Sequence, residues 1–213
     1  MLLQSLAQPV AYVGAALGVA MVIPQLARTV RHPNLPGVSA MSWGLLALGS
    51  LMWFAYGIRT TAIPQLPGNV FLASGAVAVV MLVPSVLSRR KRALAMSSAA
   101  SFLVALAIVL PPQNVGYVAF SISLCSAWPQ LIESFSNWRS GVVSGVSLTM
   151  MSVRLTSILC WISYAVLASD RPVIISATFG LMSTLAVLGM EASLRLGQER
   201  AILAAPELEL ERA

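Results

Sequence analysis

Trp53 and Asn69 stand eight residues either side of Thr61, which lies in a polar break between two apolar runs. On antiparallel helices rising about 1.5 Å per residue, both would lie at one depth, roughly 12 Å from the turn. An indole face opposite an amide can hold a sugar, whose C–H face stacks on the ring while its hydroxyls exchange hydrogen bonds with the amide. A tryptophan there can equally be a packing or lipid-facing residue, but Trp161 recurs at the matching place later in the chain. Arg154 stands eight positions into another apolar run. A charge within a membrane span is a functional candidate by default, and one facing a cavity would favour an anionic group on a substrate. Snorkelling to the membrane surface or pairing with Glu133 are its alternatives. No nucleophile–base pair or metal-ligand cluster is visible, so the sequence predicts no enzyme, no metal and no cofactor. Cys125 and Cys160 lie inside apolar runs and are expected to be unpaired thiols.

The elements that must position these residues are membrane helices. Of 213 residues, 58% are hydrophobic and 9% charged, whereas soluble domains carry about 25% charged residues. Polar interruptions divide the chain into seven apolar segments at about 9–30, 39–58, 64–87, 93–110, 113–135, 146–168 and 172–190. The polar tail that follows is expected to be frayed or a surface helix. Ten of the thirteen Lys and Arg residues fall on one side of this arrangement, only Arg59 and Arg171 on the other, and Arg154 within a span. The positive-inside rule then puts the N-terminus outside and the C-terminus in the cytoplasm. The net charge of +6 thus records orientation in a lipid bilayer and not nucleic-acid binding. One lysine against twelve arginines suggests a bacterial plasma membrane.

The chain also repeats itself. Tyr12-Val13 matches Tyr117-Val118, and Pro24-Gln25-Leu26 matches Pro129-Gln130-Leu131, both at an offset of 105. Beyond the next loop the offset is 108: Gly37-Val38-Ser39 falls on Gly145-Val146-Ser147, Trp53 on Trp161, Tyr56 on Tyr164 and Pro64 on Pro172. Helices one to three therefore recur as five to seven, and the fourth links them. An odd linker restores parallel orientation between two three-helix units, giving a 3+1+3 all-α membrane protein. Such halves, related by an axis along the membrane normal, suit an alternating-access carrier with its site between them. The predicted divisions are a first repeat at 9–87, a basic loop and linker helix at 88–112, a second repeat at 113–192 and a cytoplasmic tail at 193–213. A proline inside a helix removes a hydrogen bond, so Pro24 and Pro129 are expected to break their helices as hinges of an inner gate. Gln25 and Gln130 would bond the loosened backbone.

The paired Pro-Gln, the Gly-Val-Ser start of the next helix, the Trp-x-x-Tyr near its end and the proline opening the third resemble the PQ-loop superfamily. Within it the chain is most similar to the SWEET and SemiSWEET (MtN3/saliva) sugar transporters, over about 12–83 and 117–190. That resemblance implies a sugar site lined by Trp53, Asn69 and Trp161. The position matching Asn69 is Ala177, flanked by Ser176 and Thr178, so the site should be asymmetric. It also implies an outer gate of tyrosine, arginine and aspartate, carried here by Tyr56, Arg59, Tyr164 and Asp170. Arg59 stands one place off the family's position, and it is expected to pair with Asp170 across the halves. The carboxylates Glu133, Asp170 and Glu191 all fall at ends or turns, which leaves no titratable group in a span and favours an uncoupled uniporter of a mono- or disaccharide. The alternatives are a PQ-loop carrier of an amino acid or organic acid, proton-coupled or not, and a ligand-binding sorting receptor. A homo-oligomer stays open.

Overall fold

The computed structural model describes residues 6–31, 40–142 and 148–210. His32 and both Gly-Val-Ser motifs lie outside the described residues, as do the side chains of Gln25, Arg28 and Gln130 and those beyond 198. The described chain forms the helices α1 (Ala7–Arg31), α2 (Ala40–Arg59), α3 (Gln65–Leu82), α4 (Arg89–Val109), α5 (Pro112–Arg139), α6 (Leu148–Ala168) and α7 (Arg171–Leu210). All seven are long and apolar enough to cross a membrane, which makes this a multi-pass integral membrane protein.

Local chemistry sets the helix ends. The α2–α3 turn bonds Ala62 N–H to the Gly57 carbonyl at 2.8 Å, with Thr61 at φ 56°. The α6–α7 turn bonds Asp170 N–H to the Ala165 carbonyl at 2.8 Å, with Ser169 at φ 54°. Both are the six-to-one closure of a Schellman stop, and both place a non-glycine residue in the left-handed region at the same repeat position. Helix α5 stops in the same way, with glycine at the left-handed place: Gly141 has φ 69° and Val142 N–H bonds the Asn137 carbonyl at 2.9 Å. Pro112 opens α5 in the first turn, where its missing N–H leaves no bond unmade. Ser88 caps α4 by accepting from Lys91 N–H at 3.4 Å. The α4 first turn is basic, against the helix dipole. Arg92 turns away from it and donates to the Val80 and Val83 carbonyls at the end of α3, where a cation is favoured.

In each half the third helix is central. Helix α3 packs on both α1 and α2, which make no contact with one another among the described residues, and α7 packs on α5 and α6 in the same way. Across the halves α1 meets α6 and α2 meets α5, the two contacts that a twofold axis would exchange. Helix α4 packs chiefly on α2 and turns Leu94, Phe102, Ile108 and Val109 outward. Lipid removes the hydrophobic drive between helices, so close approach of small residues must supply the packing. A Cβ on Gly14 of α1 would stand 3.0 Å from the Cys160 Cβ of α6, and one on Gly116 of α5 only 2.6 Å from the Pro172 Cβ.

Two expectations change. Helices α1 and α5 continue through Pro24 and Pro129 instead of breaking there. Both prolines are exposed, so their rings face outward and each helix gives up one backbone bond without losing its course. Helix α7 runs on to Leu210 and buries Glu191, 1% exposed. That carboxylate therefore does not lie at a helix end as the sequence suggested, and Arg195 follows it one turn later.

Candidate functional site

A cavity of about 290 Å³ lies between the halves. Helix α3 contributes Gln65, Gly68, Asn69 and Leu72, and α7 contributes Val173, Ser176, Ala177 and Gly180. At an offset of 108 these are the same four positions, spaced as one helix face, so the repeat supplies opposite walls. Helix α6 adds Arg154, Ser157, Ile158 and Trp161, again one face, and α1 adds Gly18 and its neighbours. Among the described residues, Trp53 is the sole contribution of α2 and α5 contributes nothing. The site is asymmetric, opening towards α1 and α6.

Glycine and serine at equivalent positions account for that bias. Trp53 Nε1 donates to the Ser123 hydroxyl of α5 at 3.0 Å, and Ser123 in turn donates to the Ala119 carbonyl at 2.9 Å. The position matching Ser123 in α1 is Gly18, which has no hydroxyl to hold Trp161 in the same way and leaves space in its place. Ser157 instead ties α6 to α1 by donating to the Gly14 carbonyl at 2.8 Å. Each indole is met edge-on by the tyrosine three residues on: 5.7 Å and 82° for Trp53–Tyr56, 5.7 Å and 89° for Trp161–Tyr164. Asn69 spends one amide hydrogen on the Gln65 carbonyl at 2.8 Å, leaving its oxygen and second hydrogen for a ligand. Ser176 and Ala177 line the cavity, whereas Thr178 is exposed and does not. One residue turns a helix by about 100°, which carries Thr178 off the lining face.

Above the indoles, at the end that carries the two short turns, the bundle is shut. Tyr56, Tyr164, Pro64 and Pro172 are all buried there. Tyr56 donates to Asp170 Oδ1 at 2.6 Å, and Val173 N–H reaches the same oxygen at 3.3 Å. Burial raises the Asp170 pKa above the ordinary carboxylate range, and the hydrogen bonds from Tyr56 and Val173 offset this only in part. The expected Arg59–Asp170 pair is not formed. Arg59 donates to the Ala107 and Ile108 carbonyls, the unpaired acceptors at the C-terminus of α4, where the helix dipole favours a cation. Its place beside Asp170 is taken by Tyr56, one turn earlier on the same helix.

Sequence reasoning missed Gln65, Ser157 and Ser123. Gln65 lies one turn before Asn69 on the same face, a spacing that would have found it; the serines needed the helix pairing. Arg154 lines the cavity, while Glu133 is exposed, so the pairing with Glu133 gives way to a place in the site.

Residues 112–174 match the family model of the PQ loop repeat, from the start of α5 into α7. The structure of a eukaryotic SWEET transporter superposes with a TM-score of 0.74 at 15% identity, covering 89% of this chain and 99% of that one. The chain has the SWEET fold. No curated protein sequence matches it.

Proposed function

We propose that the chain is an alternating-access membrane transporter carrying a small solute of the sugar class through the cavity between its halves. The observation that supports it best is the cavity itself, walled by equivalent positions of two repeats and faced by Trp53 and Trp161. Its volume, about 290 Å³, lies at the low end of the roughly 300–1,000 Å³ of ligand pockets, which favours a monosaccharide-sized solute over a disaccharide. In this reading the Lys and Arg distribution puts the short-turn end outside, so Tyr56, Tyr164 and Asp170 close the outer gate, while Pro24 and Pro129 mark hinges on the cytoplasmic side. The first repeat, linker, second repeat and tail act as the divisions at 9–87, 88–112, 113–192 and 193–213.

An uncoupled carrier is the simplest mechanism, with Asp170 in the α6–α7 turn as expected, although Glu191 is buried within α7. Counterflow of labelled monosaccharides, sucrose and several amino acids into proteoliposomes, with and without a pH gradient, tests the reading. Flux of a monosaccharide-class solute above that of sucrose supports it. Amino-acid uptake driven by the gradient, with no flux of the sugar class, overturns it.

A further inference from the structure

The polar groups of the cavity are not balanced in charge. Arg154 is the one charged residue on its lining, and no aspartate or glutamate joins it among the described residues. No described residue accepts a hydrogen bond from its guanidinium or forms an ion pair with it, and the side chain is half-buried. The nearest candidates are otherwise placed. Glu133 is exposed, Asp170 is held by Tyr56 and Val173 at the shut end, and Glu191 lies three turns beyond the last α7 residue of the lining. Arg154 also borders a second void of about 10 Å³, lined by Ser183 and Thr184, and the buried Thr184 Oγ1 has no hydrogen-bond partner among the described residues.

A guanidinium half withdrawn from water on a mostly apolar cavity wall, with no carboxylate beside it among the described residues, favours an anion that supplies the missing charge. Its fork of N–H donors matches a carboxylate bidentately. We infer that the transported solute is a monosaccharide-sized carboxylate, a sugar acid whose acid group docks on Arg154 and whose ring lies against Trp161 and Trp53. Trp161 stands two helical turns from Arg154 on the same face of α6, about 10 Å along the axis, which is the span of a single ring with its acid group. The single cation suits a monoanion better than a phosphate dianion. A zwitterionic amino acid would bring an ammonium group for which the lining offers no carboxylate.

This inference rests on the transport reading of the same cavity, and binding and flux separate the two. The probes are glucuronate, glucose, glucose 6-phosphate and alanine, each titrated on the purified full chain with intrinsic tryptophan fluorescence as the readout and sodium chloride as the ionic control. Glucuronate should bind at least tenfold tighter than glucose. Arg154→Gln should weaken glucuronate binding on the order of 30-fold while moving glucose little, and Arg154→Lys should restore part of it. Thermal melts confirm that each variant is folded, and the glucose titration does so independently. Glucose binding as tight as glucuronate, glucuronate binding indifferent to Arg154→Gln, or preference for the phosphate or alanine overturns the inference. In proteoliposomes, glucuronate binding that depends on Arg154 without any flux would keep the ligand class and overturn transport. Glucose flux with no glucuronate preference would do the reverse.

Discussion

Tyr56 on α2 donates a 2.6 Å hydrogen bond to Asp170 in the α6–α7 turn, joining the first half of the molecule to the second. A bond to a carboxylate is worth about 1.5–3 kcal/mol, so it biases the short-turn end towards the shut state by about tenfold or more. Tyr56→Phe removes the hydroxyl and keeps the edge-on contact with Trp53. A cysteine introduced as Ser176→Cys, with Cys125 and Cys160 replaced by serine, should then label faster from the short-turn side. Equal labelling rates with and without the Tyr56 hydroxyl would show that the bond does not gate access.

The same carboxylate gives the protein a pH dependence of definite sign. Burial holds the folded-state pKa of Asp170 above its ordinary value, so the folded, shut form binds the proton more tightly than a form open to water. Its contribution to stability is full below the ordinary carboxylate pKa and is lost as pH rises through the raised value. Melts of wild type and Asp170→Asn across roughly pH 4 to 7 isolate it from other carboxylates. Wild type should lose stability relative to the variant as pH rises; a relative gain would reverse the assignment.

Much of this arrangement was legible because a repeat doubles every signal. Trp53/Trp161, Tyr56/Tyr164 and Pro64/Pro172 fixed an offset of 108 that the structure reproduces down to the left-handed Thr61 and Ser169. What the repeat does not contain was the part misread. Helix α4 has no counterpart, so nothing in the sequence placed its C-terminal carbonyls beside Arg59. The Pro-Gln pairs announced a lost hydrogen bond correctly, but a lost bond on an exposed face does not end a helix. The spacing of Arg154 to Ser157, Ile158 and Trp161 describes one helix face, but a cavity-facing, a snorkelling and an ion-paired arginine all fit that spacing. Only knowledge that α6 turns that face inward could choose between them.

Gly116 tests how tightly the halves meet beneath the Tyr56–Asp170 bond. A Cβ there would stand 2.6 Å from the Pro172 Cβ and 2.9 Å from Tyr56 Cε2, and a proline ring has little room to yield. Gly116→Ala should therefore destabilise by about 1–3 kcal/mol through overpacking, despite the better helix propensity of alanine. Gly189→Ala, where a Cβ meets nothing within 4 Å, should be neutral or gain up to about 1 kcal/mol. Thermal melts of the two variants in one detergent compare them directly, and equal melting temperatures would show that the helices separate freely at Gly116.

The hinges are expected to be unequal. Pro24 lies three residues beyond Met21, the last described α1 residue on the cavity lining, whereas no described residue of α5, which carries Pro129, lines it. Bending at Pro24 would swing the end of a helix that borders the solute; bending at Pro129 would move one that does not. Replacing either by alanine restores the backbone bond to the carbonyl four residues earlier and stiffens the helix. Pro24→Ala should slow transport by about tenfold, and Pro129→Ala by no more than about twofold, with ligand affinity by tryptophan fluorescence unchanged in both. Flux and titration on the same preparations separate motion from binding. Unchanged flux in Pro24→Ala would remove the hinge, and equal slowing in both variants would show that the two repeats move as equivalents despite the one-sided cavity.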